Sequence, residues 1–132
     1  MALVVPDLRG EILLLQYIVG LVDAGNPVLH LYGNDVTPSD STVIGDLTQC
    51  TSAGYAAITL VSSNWTTTQT AGVTTAVYSE KTFSFTTDAT AYGYYITDTS
   101  GNLLWLERFS GSPFLIPDGG GSVSITTKLT LS

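Results

Sequence analysis

The run Val123-Ser124-Ile125-Thr126-Thr127-Lys128-Leu129-Thr130-Leu131 decides the fold. Val123, Ile125, Thr127, Leu129 and Leu131 alternate with Ser124, Thr126, Lys128 and Thr130. A period of two places the first set on one face of an extended strand and the second on the other. The first set is rich in apolar and β-branched side chains, which suit a half-buried pleated surface. Ahead of the run stands the turn Asp118-Gly119-Gly120-Gly121, so the reading is a last strand packed on a core by one face.

The same alternation recurs upstream. Tyr92, Tyr94 and Ile96 lead into Asp98-Thr99-Ser100-Gly101-Asn102, a hairpin connection whose glycine can supply positive φ. On the returning strand Leu103, Trp105, Glu107 and Phe109 share one face, with Leu104, Leu106 and Arg108 on the other. Apolar residues on both faces predict a central strand or one at an interface. Phe83 and Phe85, then Val73, Thr75 and Val77, read as half-buried strands. Residues 57–61 and 28–32 read as short apolar ones. Gly33-Asn34-Asp35 and Thr37-Pro38-Ser39-Asp40 punctuate a loop, and the Thr/Ser-rich stretch 62–75 reads as a long loop. Together these features predict a mainly β chain: an antiparallel two-sheet sandwich, jelly-roll-like or immunoglobulin-like, without the immunoglobulin cysteine pair.

At the N-terminal end Pro6 breaks a short apolar segment, which predicts an extended arm over residues 1–7. The sandwich domain then occupies 8–132, beginning with a helix over about 8–23. Asp7 is placed to cap that helix, Glu11 falls in its first turn, and Gly25-Asn26-Pro27 supplies a stop. The helix is apolar on nearly all sides, yet shorter than the roughly 20 residues that span a bilayer. Either it plugs one end of the sandwich or it is partly buried between subunits.

The chain has 132 residues, enough for one core. Charged residues make up 11% and hydrophobic residues 44%, and the net charge is −7. Arg9, Lys81, Arg108 and Lys128 are the only strong cations and are scattered, which argues against phosphate or nucleic-acid binding. No basic leader precedes the first apolar segment, so synthesis without export is expected, and no membrane association.

The residues that carry chemistry are sparse. His30, the one histidine, lies in an apolar strand and is expected to be a packed or hydrogen-bonded sheet residue. Cys50 stands alone and reads as a small buried side chain, so neither a triad nor a zinc site assembles. Asp35, Asp40 and Asp46 share a loop but lack calcium-loop spacing. Glu107 beside Trp105 and Phe109 needs a partner, with Lys81 or Arg9 the candidates. Trp65, Trp105, Tyr92, Tyr94 and Tyr95 could line a carbohydrate platform, although packing is the favoured reading. No catalytic, metal or cofactor residue is assigned, and the expectation is a non-enzymatic protein.

Several stretches carry a resemblance: Pro6-Asp7 and Gly10-Glu11, the segment Leu29-His30-Leu31-Tyr32-Gly33-Asn34-Asp35-Val36-Thr37-Pro38, Gly54-Tyr55-Ala56-Ala57 and Asn64-Trp65. Tyr92-Gly93-Tyr94-Tyr95-Ile96-Thr97-Asp98 and Leu103-Leu104-Trp105-Leu106-Glu107-Arg108-Phe109 extend it. Over almost its whole length the chain resembles small structural proteins of tailed phages, cyanophages among them. The resemblance implies a virion part on the capsid exterior, assembled in the host cytoplasm. It implies a decoration or cement protein that binds the major capsid protein and itself, as a homotrimer. Candidate contact residues are Leu3, Val4 and Val5 in the arm, Leu14, Ile18 and Leu21 in the helix, and Val36, Pro38 and Val43 in the loop. The alternatives are a tail or baseplate component such as a fibre adaptor, and a carbohydrate-binding adsorption module.

Overall fold

The computed structural model describes residues 3–7, 9–21, 23 and 25–131. Along the chain, helix α1 (Gly10–Ile18) precedes strands β1 (Val28–Tyr32), β2 (Ile58–Thr59), β3 (Trp65–Thr70), β4 (Val73–Tyr78) and β5 (Lys81–Phe85). Then come β6 (Ala89–Ala91), β7 (Gly93–Thr97), β8 (Leu103–Arg108), β9 (Phe114–Ile116), β10 (Gly121–Ile125) and β11 (Lys128–Leu131). The protein is mainly β, with antiparallel sheets and one N-terminal helix, as in a β-sandwich. The largest sheet has the order β2-β1-β7-β8, and the others are β10-β5, β11-β4-β3 and β6-β9.

Register assigns the faces of the large sheet. Leu29 stands opposite Ile96 and Leu31 opposite Tyr94, while Ile96 stands opposite Trp105. These side chains form the main core with Phe83 and Phe85 of β5, Val123 and Ile125 of β10, Tyr78 of β4 and Ile116 of β9. The reverse face of the same sheet is also apolar. There Tyr32, Tyr95, Leu103 and Leu106 form a second cluster, covered by Val4, Val36, Leu47 and Tyr92. Each fully buried Leu or Ile contributes about 1.5–3 kcal/mol, so covering both faces explains why β8 is apolar on both sides from Leu103 to Leu106.

Three expectations about the strands are corrected. Leu103 and Trp105 lie on opposite faces, because a register shift between Ile96 and Thr97 inserts a residue into β8. The stretch expected as a loop over 62–75 instead holds β3 and the start of β4, paired through Ala71 and Gly72, both at positive φ. The last alternating run is two strands: β10 pairs with β5, and β11 pairs with β4 in a different sheet. The chain changes sheets at Thr126 and Thr127.

The helix is also shorter than the predicted 8–23, although Leu8 and Val22 lie outside the described residues. Its N-cap is Arg9 without a side-chain hydrogen bond, and the Asp7 backbone N–H instead donates to the Asp40 carbonyl. At the other end Gly20 adopts φ 74°. Its N–H donates to Tyr17 and that of Leu21 to Gln16, which closes the last turn in a Schellman motif well before Gly25. Residues 3–5 of the expected arm lie on the chain's own sheet. Val4 forms an antiparallel bridge with Leu106, its N–H donating at 2.9 Å and its carbonyl accepting at 3.0 Å.

Candidate interaction surface

Helix α1 carries two apolar stripes. Gly10, Leu13, Leu14 and Tyr17 recur at helical spacing and face inward: Gly10 and Leu13 are buried, and Tyr17 packs against the main core. Ile12, Leu15 and Ile18 form the opposite stripe, which Val19 and Leu21 continue past the helix end. These side chains stand in solvent, Leu15 at 65%, Ile18 at 79% and Leu21 at 75% exposure. Gly10 makes the inward seat possible, because a Cβ there would collide with the Leu104 carbonyl of β8.

Beside the helix lies an apolar cleft of about 230 Å³, lined by Leu14, Tyr17, Pro27, Trp65, Leu104 and Trp105 among others. An apolar ridge next to an apolar hollow can bind another protein surface by burial, without a charged partner. A smaller hollow near the start of the helix, about 180 Å³, brings Pro6 and Arg9 against Val43, Ile44 and Leu103.

The sequence-predicted contact residues divide between these places and the interior. Ile18 and Leu21 lie on the exposed ridge, Leu14 lines the cleft, and Val43 is exposed beside Ile44 on a short 3-10 turn. Leu3 and Val5 pack against the main core, Val4 and Val36 against the second cluster, and Pro38 is buried. Sequence reading placed the helix contact over residues 13–21, which spans Leu15 and Val19, and missed Ile12. The available signal was the spacing of Gly10 with Leu13 and Tyr17, which marks the inward stripe and leaves the other exposed. Phe114 and Leu115 on β9 are a further exposed apolar pair that went unremarked.

The polar side chains serve the sheet. His30 Nε2 is 3.0 Å from Thr97 Oγ1, its Nδ1 is 3.2 Å from Gln49 Nε2, and the ring stacks on Tyr95 with centroids 4.6 Å apart. Burial lowers its pKa below the usual histidine value. Cys50 is buried, its Sγ 3.5 Å from the Thr90 carbonyl, and burial pushes its thiol up to about 11, away from nucleophilic use. Glu107 accepts a 2.8 Å hydrogen bond from the Tyr94 hydroxyl and pairs with neither Lys81 nor Arg9. Burial and the Glu107 charge both raise the Tyr94 pKa. Arg108 instead bonds Asp35 at 2.6 Å and lies over the Tyr92 ring.

The cleft of about 430 Å³ around Tyr94, Glu107, Arg108 and Lys128 contains one carboxylate, Glu107, whereas glycoside hydrolysis uses a facing pair. The candidate sugar platform is packed away: Trp105, Tyr94 and Tyr95 are buried, and Trp65 is half-buried against Tyr78 and Trp105. Among the described residues no cluster of His, Cys, Asp and Glu could hold a metal ion, and no helix is long and apolar enough to cross a membrane. No protein-family model, curated protein or solved structure matches the chain.

Proposed function

We propose that this chain is a phage virion protein, a capsid decoration or cement protein that binds the major capsid lattice as a homo-oligomer and stabilises it. The observation that carries the reading is the apolar ridge of Ile12, Leu15, Ile18, Val19 and Leu21 beside the apolar cleft under α1. Covering each such side chain contributes on the order of 1.5 kcal/mol or more, so the ridge favours a bound state over a free one. A decoration protein acts by mass action, stabilising whichever lattice state it binds better. The low charge fits close subunit packing, and the resemblance to tailed-phage structural proteins supplies the setting.

Mass spectrometry of purified virions tests this, counting copies of the chain relative to the major capsid protein. A ratio near one copy per capsid subunit supports decoration. A few copies per hundred would move the protein to the tail or baseplate as an adaptor, and absence from the particle would remove the virion reading.

A further inference from the structure

Strand β3 presents an uncharged edge. In the sheet β11-β4-β3, strand β4 is paired on both sides and β3 only on one. The side chains of Thr66, Thr67, Thr68, Gln69 and Thr70 are all exposed. The pairing from Trp65↔Tyr78 to Thr70↔Val73 runs without a bulge.

The turn fixes which backbone groups are free. Ala71 at φ 52° and Gly72 at φ 81° form a two-residue connection of the type I′ class, so Thr70 and Val73 exchange hydrogen bonds with each other. Antiparallel alternation then makes Thr68 with Thr75, and Thr66 with Val77, the next bonded pairs. Thr67 and Gln69 therefore direct their N–H and C=O groups away from β4. Trp65 does not add to this set, since its N–H donates to the Ser62 carbonyl.

Exposed edges in natural proteins are usually guarded by Lys, Pro, bulges or covering segments. Here no Asp, Glu, Lys, Arg or Pro occurs between Leu47 and Ser79. We infer that β3 is a docking edge to which β3 of a second copy adds as an antiparallel strand, related by a two-fold axis at Thr68. Two-fold pairing sets like residues close together, so any charge on the edge would face its own kind. Two copies at −7 each repel where their charges meet, and this is the longest stretch of the chain on which neither brings a charge. An edge without charge likewise offers no electrostatic attraction to an acidic or basic peptide.

The register follows from the free groups. An axis at Thr68 pairs Thr67 with Gln69 of the second copy and Gln69 with its Thr67, using every outward N–H and C=O on those residues. Thr68 meets its own counterpart in a non-hydrogen-bonded pair, with Cα atoms about 4.5 Å apart. The joined sheet runs β11-β4-β3-β3-β4-β11. On a lattice such a contact would link neighbouring oligomers, but it does not rest on the virion reading.

Single Thr68→Cys and Thr66→Cys variants of the full chain, oxidised mildly and run on non-reducing gels, test the register. Thr68→Cys is expected to give a disulfide dimer, because a 4.5 Å Cα separation lies within disulfide range. Thr66 would be about 13 Å from its counterpart, and its cysteine variant is expected to stay monomeric. Sedimentation equilibrium of Thr67→Pro provides the second readout. Proline there removes an outward N–H and leaves the β4 ladder intact, so self-association should weaken at least tenfold with an unchanged circular dichroism spectrum. Failure of Thr68→Cys to cross-link, equal cross-linking at Thr66, or self-association unaffected by Thr67→Pro would each overturn the inference.

Discussion

The Tyr17 hydroxyl donates a 3.0 Å hydrogen bond to the Asp98 carboxylate and ties the inward stripe of α1 to the β7–β8 hairpin. Asp98 also accepts from the backbone N–H groups of Ser100 and Asn102 and from Asn102 Nδ2. Tyr17→Phe is expected to cost about 1 kcal/mol and Asp98→Ala about 2–3 kcal/mol, because the alanine leaves hairpin donors unpaired. Hydrogen exchange should show faster helix amides in the first variant and faster hairpin amides as well in the second. Equal exchange patterns would contradict the link.

Acid should weaken the protein in two stages. Burial holds the folded His30 pKa below its unfolded value, so the unfolded chain takes the proton first and stability falls as pH drops through about 6.5. Burial alone would raise the Asp98 pKa, but its hydrogen bonds to Asn102, Tyr17 and Ser100 outweigh this and hold it below the usual carboxylate value. Its contribution is present above about pH 3.9 and is lost below. Urea midpoints measured from pH 7 to pH 5 should decline for the native chain, and His30→Gln should flatten that slope.

Gly10 sets how closely α1 approaches β8. Its missing Cβ would overlap the Leu104 carbonyl, a backbone atom that cannot rotate away. Gly10→Ala should therefore destabilise the fold by about 1–3 kcal/mol despite alanine's better helix propensity. A thermal midpoint that rose instead would mean that the helix can lift without loss.

The β3–β4 turn has an opposite remedy. Ala71 occupies the left-handed region, where an L side chain is strained. Ala71→Asn places the favoured Asn-Gly pair in a type I′ turn and should stabilise by about 0.5–1 kcal/mol. Chemical denaturation with an unchanged m-value would register the gain.

Leu15→Lys combined with Ile18→Lys charges the exposed ridge without touching the core. Stability should change by no more than about 0.5 kcal/mol, while co-sedimentation with undecorated capsids should fall at least tenfold. Undiminished capsid binding would leave the ridge without its proposed role.

Period-two patterning made most strands legible, since Leu29, Leu31, Phe83, Phe85, Val123 and Ile125 alternate as half-buried strands should. What escaped was set by tertiary context. Local alternation does not reveal the inserted residue that puts Leu103 and Trp105 on opposite faces, nor the change of sheet at Thr126, because the pattern continues through both. The threonines of β3 read as loop because no face of that strand is buried. Gly20 was a readable helix stop, masked by the apolar residues that follow it. In the candidate surface, Ile18 and Leu21 were picked from their apolar character. Val4 and Val36 could not be separated from them, since their cover is supplied by residues distant in sequence.

The crossing at Thr126 and Thr127 also gives the molecule a load path. A pull transmitted through Leu131 runs along β11 and stresses its ladder with β4 in shear, with all rungs sharing the load. The rungs hand that load to β4, which is separated from β5 by Ser79 and Glu80 alone, while the crossing carries the remainder to β10 and so to the same β5. Both routes converge on β5, so a pull on the last strand is finally resisted by the aromatic core that Tyr78, Phe83 and Phe85 share.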